Sequence, residues 1–119
     1  MTTQRRALGS YGERVAAQHL QDLGLELLTR NWRCADGELD LVLRDGDDIV
    51  ICEVKTRRSG RFGSPAEAIT PHKRRKLRHL AARWLDEARV GAREVRFDVI
   101  EVLPQPRGAT QVVHIRAAF

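Results

Sequence analysis

The stretch GELDLVLRDGDDIVICEVK, residues 37–55, predicts a β-hairpin with strands at 38–44 and 48–56. Its middle, RDGDD, has turn composition, and both flanks are mostly apolar. Charged side chains inside an apolar hairpin are costly unless they are paired or bind a ligand. The flanks nevertheless contain three acids and a lysine, namely Glu38, Asp40, Glu53 and Lys55.

The spacing of these four residues predicts that they lie close together. Side chains alternate between the two faces of a strand, so Glu53 and Lys55 share one face. If the hairpin closes symmetrically about residues 46–47, Asp40 lies opposite Glu53. In the same register, Glu38 lies opposite Lys55.

The predicted pair of carboxylates points to a divalent cation. Opposed carboxylates repel each other, and Mg²⁺ or Mn²⁺, which prefer oxygen ligands, would remove that repulsion. Lys55 projects beside the same position, where its ammonium could stabilise charge on a phosphoryl group. The pattern therefore fits metal-assisted phosphodiester hydrolysis. The structural alternative is a Glu38–Lys55 ion pair, with Asp40 as an acid on a solvated face.

Length and composition indicate one globular domain over residues 1–119. The amino-terminal MTTQRRALGS lacks the apolar run of a secretory signal, and no apolar run approaches the roughly 18 residues of a membrane span. Cys34 and Cys52 form no CxxC pair, so a zinc site is not expected and a cytoplasmic location is predicted. The four histidines show no metal-ligand or triad spacing, and no role is assigned to them.

The charge distribution indicates a polyanionic partner. The net charge is +5, and residues 55–96 contain 13 Lys and Arg against four acids. The rest of the chain contains 8 basic and 12 acidic residues. Such asymmetry is typical of nucleic-acid binding, although a solvated basic surface would give the same pattern.

The remaining hydrophobic pattern predicts the order α-β-β-β-α-β-β and a three-layer α-β-α fold with a mixed sheet. The strand at 94–102 should return from the second helix by a right-handed crossover and run parallel to 48–56. The other predicted elements are a helix at 10–23, a strand at 25–33, a helix starting at Thr70-Pro71 and an edge strand at 111–119.

Longer motifs extend the hairpin pattern over most of the chain. Asp40 and the Glu53-Val54-Lys55 tripeptide resemble the PD-(D/E)XK nucleases, except that Leu39 replaces the usual Pro. The whole chain resembles the uncharacterised bacterial YraN-like family, which is related to archaeal Holliday junction resolvases. The matching segments are GSYGERVAAQHL (9–20), NWRCADGELDLV (31–42), EVKTR (53–57), FGSPAEAIT (62–70), RFDVI (96–100) and the terminal AF.

This resemblance implies a restriction-endonuclease-like fold and assigns roles to the charged residues. Asp40, Glu53 and the carbonyl of Val54 would hold the metal, and Lys55 would be the catalytic lysine. Glu13 matches an acid that resolvase-like members add to the site from the first helix. By analogy with resolvases, a homodimer is the expected oligomer.

Two further groups of cations are candidates for binding a nucleic-acid backbone. Arg57, Arg58 and Arg61 lie in a Gly/Ser loop directly after Lys55. Lys73 and Arg74 lie at the start of the second helix, where free N–H groups and the helix dipole already favour an anion. For both residues of the helix the alternative is an ordinary surface side chain.

Three functions remain open from the sequence. The first is a Mg²⁺-dependent nuclease that acts on structured DNA. The second is a nuclease-like module that binds nucleic acid without cutting it. The third is an assembly subunit whose hairpin edge pairs with a second copy.

Overall fold

The computed structural model of the protein describes residues 3–58 and 69–119. Two helices and five strands follow one another in the predicted order α-β-β-β-α-β-β. They are α1 (Thr3–Asp22), β1 (Glu26–Cys34), β2 (Gly37–Asp45), β3 (Asp48–Thr56), α2 (Pro71–Ala88), β4 (Val95–Leu103) and β5 (Gln111–Ile115).

Two boundaries differ clearly from the prediction. Helix α1 already includes Thr3 instead of beginning near residue 10, because residues 4–8 have good helix propensity although they lack an apolar stripe. The last strand ends at Ile115 instead of 119. There Ala117 adopts a left-handed φ of 50° and donates its N–H to the Asp98 carboxylate at 3.0 Å, which turns the chain out of the strand.

The five strands form one mixed sheet in the order β1-β2-β3-β4-β5. Strands β3 and β4 are parallel neighbours, as predicted, and the other neighbouring pairs are antiparallel. Because α2 connects the two parallel strands, its position over the sheet follows from this topology.

The two helices cover opposite faces of the sheet. On β3, Cys52 packs in the apolar cluster that contains Leu20 of α1, whereas Ile51 packs in the cluster that contains Leu80 of α2. Since consecutive residues of a strand point to opposite faces, this arrangement is a three-layer α-β-α structure. The amino-terminal turns of α2 and the carboxyl end of β3 carry most of the candidate site residues.

Helix α2 begins as its sequence predicts. Thr70 has an extended backbone conformation, and its hydroxyl accepts the backbone N–H of Lys73 at 3.1 Å. Pro71 occupies the first turn, where its missing N–H costs no hydrogen bond. This cap fixes the start of the helix and therefore the direction in which Lys73 projects.

Gly12 allows α1 to approach β3 closely. A Cβ atom at this position would overlap the Thr56 hydroxyl and lie 3.0 Å from the Thr56 Cβ. A residue with a side chain therefore cannot occupy this position unless the Thr56 side chain, the helix or the strand shifts. The contact places the next residue of α1, Glu13, over the carboxyl end of β3.

We expect Gly12→Ala to destabilise the protein by about 1–3 kcal/mol, because the added methyl group overpacks this contact. Gly9→Ala is the matched control, since a Cβ there meets no atom within 4 Å. Urea unfolding of both variants gives the difference. The double variant Gly12→Ala/Thr56→Ala should recover most of the loss, and equal stability of the two single variants would show that the helix approaches the sheet less closely.

Candidate functional site

The candidate site lies where β2 and β3 separate. The pairing between them runs from Asp45–Asp48 to Leu41–Cys52, in the register that the sequence predicts. It ends there, so the predicted pairs Asp40–Glu53 and Glu38–Lys55 are not part of the ladder. The prediction that the same register continues to these two pairs was wrong.

The Asp40 side chain accounts for the separation. Its Oδ2 atom accepts the backbone N–H of Val54 at 2.9 Å, whereas a continued ladder would place Val54 opposite Leu39. The alternation of faces also breaks at this point, because Leu39 packs on the α2 side of the sheet and Leu41 on the α1 side. The carboxylate of Asp40 thus lies in the opening between the strands.

Glu53 lies on the α2 side of this opening. Its side chain is only 8% exposed, and Oε1 is 3.8 Å from Nζ of Lys55 and 3.6 Å from Nζ of Lys73. A buried carboxylate between two ammonium groups is electrostatically compensated. The structure therefore brings Lys73 of α2 to the same carboxylate that Lys55 contacts.

Glu13 approaches from the α1 side. It lines a cavity of about 360 Å³ together with Asp40, Val54 and Thr56. Burial raises the pKa of Glu13, and the negative charge of Asp40 raises it further. The side-chain amide of Asn31, oriented with its nitrogen toward Glu13, donates to both carboxylate oxygens at 2.8 and 3.2 Å.

Asp40 has the most strongly perturbed carboxyl group of the site. Burial raises the pKa of Asp40 to about 7, and the negative charge of Glu53 contributes in the same direction. The N–H of Val54 and the ammonium of Lys55 act against this rise without cancelling it. A carboxyl group that holds its proton up to neutral pH is typical of a functional site.

The chemistry of the side chains fits a hard divalent cation. Asp40 and Glu53 offer carboxylate oxygens, and Mg²⁺ is usually held by one or two carboxylates together with water. Within residues 3–58 and 69–119, however, no three Asp, Glu, His or Cys side chains are arranged as a ready ligand set. Each carboxylate instead contacts a protein donor, so a cation would have to displace some of these contacts.

The other predicted phosphate-binding residues lie at several separate places. Arg57 pairs with Glu101 at 3.5 Å. Arg58 lines a different cavity, beside Tyr11 and the start of α1. Arg74 donates from Nε to a backbone oxygen at 3.0 Å and lies over the terminal aromatic ring, which is a structural role. Arg61 lies outside the described residues.

The sequence did not reveal the histidine contacts of one buried polar cluster. Asp98, with no exposed surface, accepts Nε of Arg96 at 2.9 Å and Nε2 of His114 at 2.8 Å. His114 in turn lies 3.4 Å from His19 of α1. The Arg-x-Asp spacing on β4 was a usable signal for the first pair. The histidine contacts join α1 to β5 and could not be read from local spacing.

None of the helices in the described part of the chain is long and apolar enough to cross a membrane.

Comparison with known proteins places the chain in a family. The profile of the uncharacterised protein family UPF0102 matches residues 12–102. A UPF0102 protein of Beutenbergia cavernae is 58% identical over 110 residues, which cover 92% of this chain and 93% of that protein. A UPF0102 protein of Frankia alni is 56% identical over 113 residues, covering 95% and 94%. A UPF0102 protein of a Nocardioides species is 52% identical over 112 residues, covering 94% and 90%. The chain therefore belongs to the UPF0102 family, the YraN family that its motifs resemble.

Proposed function

We propose that the protein is a metal-dependent nuclease that acts on structured DNA and has a restriction-endonuclease-like fold. The observation that carries this proposal is the position of Asp40 in the opening between β2 and β3, where its pKa is raised to about 7. Glu53 and Lys55 lie on the next strand at the same opening, with Nζ of Lys55 3.8 Å from Oε1 of Glu53. A perturbed acid, a second carboxylate and a lysine are the components that metal-assisted hydrolysis requires.

In this proposal, Asp40, Glu53 and the Val54 carbonyl hold Mg²⁺ or Mn²⁺. When bound, such an ion supplies charge stabilisation at the phosphate and a more acidic water. The ammonium of Lys55 stabilises negative charge on the phosphoryl oxygens or orients the attacking water. Glu13 faces the same opening from α1, and its raised pKa suits a group that takes up a proton from the water.

The proposed ligand follows from the charge of the chain, and the proposed oligomeric state follows from family analogy. The excess of basic residues in the second half of the chain supports DNA as the ligand. A cytoplasmic location and a homodimer remain predictions, the second by analogy with resolvases that act on two-fold symmetric substrates.

A second candidate is a non-cleaving module that binds nucleic acid. One observation favours it: the Glu53 carboxylate already contacts Lys55 and Lys73, and Asp40 already accepts the N–H of Val54. If these contacts are too stable for a cation to displace, the acids serve the structure only. The basic surface could then still bind DNA.

A cleavage screen on the purified protein tests the proposal. Branched, nicked, flapped and single-stranded DNA of related sequence should be incubated with Mg²⁺ and with Mn²⁺, and with EDTA as the control. We expect metal-dependent cleavage of at least one branched or flapped substrate, absent in Asp40→Asn. Salt-sensitive binding without cleavage under any of these conditions would instead establish the non-cleaving module.

A further inference from the structure

A second cavity lies on the α2 side of the sheet, next to Glu53. It has a volume of about 370 Å³, is open to solvent, and lies between the β1–β2 turn and α2. Three cations line it, Arg33, Lys73 and Lys76, against one acid, Glu38. Lys73 links this cavity to the proposed active site, because its Nζ lies 3.6 Å from Oε1 of Glu53.

Lys76 is the cation best placed to bind a ligand in this cavity. It lies three residues after Lys73, so both side chains project from the same side of α2. Among the described residues, no acid pairs with its ammonium group, and it has no other polar partner. An unpaired cation beside a polar cavity is available to an incoming anion.

Gly37 gives Lys76 its position over the β1–β2 turn. A Cβ at residue 37 would lie 3.0 Å from Cε and 3.4 Å from Nζ of Lys76, and the φ of 147° itself favours glycine. The turn is also bonded to α2, since the Asp36 carboxylate accepts a hydrogen bond from NH1 of Arg83 at 2.7 Å. The cavity is therefore bounded by two connected elements.

Arg33, the remaining cation of the cavity, makes only a weak ion pair with Glu38. Nε of Arg33 lies 3.0 Å from Oε2 of Glu38, and the two side chains are 77% and 51% exposed. Ion pairs at such exposure are easily exchanged. A phosphate could therefore take the place of Glu38 as the partner of Arg33, whose planar guanidinium suits two phosphate oxygens.

From these features we infer that the cavity is a phosphate subsite for the DNA strand that enters the active site. It binds a phosphodiester close to the reacting one, between Lys76 and Arg33, with Lys73 at the junction of the two positions. Glu38 acts as a competing anion that occupies Arg33 when no strand is bound. The inference rests on the proposed function, because it assumes that a DNA strand reaches Glu53 and Lys55.

Binding of fluorescently labelled branched DNA at several salt concentrations tests the subsite. Lys76→Ala and Arg33→Ala should each weaken binding and lower the log–log salt slope by about 0.7–0.9, the value for one lost phosphate contact. Glu38→Gln should tighten binding several-fold, because it frees Arg33. Arg75→Ala is the matched control, as it removes an exposed cation of α2 that does not line the cavity.

Thiol labelling gives a readout that does not depend on cleavage. Cys34 lines the cavity and is half-buried, whereas Cys52, the only other cysteine of the chain, is fully buried. Saturating DNA should slow the reaction of Cys34 with a thiol reagent at least several-fold. In the Lys76→Ala/Arg33→Ala double variant, DNA at the same fractional saturation should protect Cys34 much less.

These experiments distinguish a failure of the subsite from a failure of the proposed function. If the wild-type protein binds or cuts DNA, but the three cavity variants behave like Arg75→Ala and DNA leaves Cys34 unprotected, the subsite is wrong and the nuclease proposal stands. If the protein binds DNA with the predicted cavity effects but never cuts, the subsite stands as part of a binding module. If it neither binds nor cuts DNA, both are wrong.

Discussion

Replacing Lys55 with alanine should lower the rate of DNA cleavage by about two to three orders of magnitude and leave DNA affinity nearly unchanged. The reason is its position. Its ammonium lies 3.8 Å from Oε1 of Glu53, at the opening between the strands, where negative charge would develop on the phosphate. Such a group contributes more to the transition state than to binding of the substrate.

The measurement is single-turnover cleavage at saturating protein, together with DNA affinity in the presence of Ca²⁺ or EDTA. Arg75→Ala is again the control for the loss of one positive charge, and it should change neither quantity much. Glu13→Gln should lower the cleavage rate by a smaller factor if Glu13 takes up a proton from water. A Lys55→Ala variant that loses affinity and rate in parallel would identify Lys55 as a binding residue.

Replacing Asp40 with asparagine should stabilise the metal-free protein at pH 8. The pKa of Asp40 is raised from 3.8 to about 7 in the folded state by burial and by the charge of Glu53. The folded protein therefore holds this proton more tightly than the unfolded chain does. The stabilisation that this proton gives the folded state is fully present below about pH 3.8 and is lost as the pH rises to about 7.

The expected size of this effect is up to about 4 kcal/mol above pH 7, at about 1.4 kcal/mol for each unit of pKa shift. Asparagine removes the charge but can still accept the Val54 N–H through its side-chain oxygen. Urea unfolding of the wild type and of Asp40→Asn should therefore diverge between pH 4 and pH 7. Asp86→Asn, an exposed acid of α2, is the control and should show no such divergence.

Metal addition completes the same experiment. Millimolar Mg²⁺ or Mn²⁺ should raise the unfolding temperature of the wild type at pH 8, because an ion between Asp40 and Glu53 relieves their repulsion only in the folded state. The Asp40→Asn variant should respond much less. If Asp40→Asn is more stable at pH 8 and metal leaves the wild type unchanged, the acid pair is destabilising but does not bind an ion.

Much of the fold was predictable because its signals are local. The turn composition at residues 46–47 fixed the register from Asp45–Asp48 to Leu41–Cys52. The helical spacing of six apolar residues in α2, from Leu77 to Ala88, predicts a core-facing stripe. Leu77, Leu80, Ala81 and Trp84 are buried, whereas Leu85 is partly buried and Ala88 is exposed. Patterns of this kind depend on a few consecutive residues and on the geometry of one helix or one hairpin.

The same local reasoning failed at the candidate site. Alternation along β2 predicted that Asp40 would face Glu53 in a continuous ladder, but a side chain replaces the backbone as the partner of Val54. The energetic preference of a buried carboxylate for an N–H donor outweighs regular pairing here. No periodic pattern in the sequence indicates where a side chain will replace the backbone as a hydrogen-bond partner.

The sequence by itself determined the order of the elements, the register of the central hairpin and the presence of Asp40, Glu53 and Lys55 on it. The family resemblance also pointed to Glu13, but only the tertiary structure decided how Glu13 and Lys73 approach these residues. The Gly12–Thr56 contact brings Glu13 over the strand ends, and the capped start of α2 brings Lys73 within 3.6 Å of Glu53. These contacts depend on how helices pack on the two faces of the sheet, and packing is set by the whole core instead of by neighbouring residues.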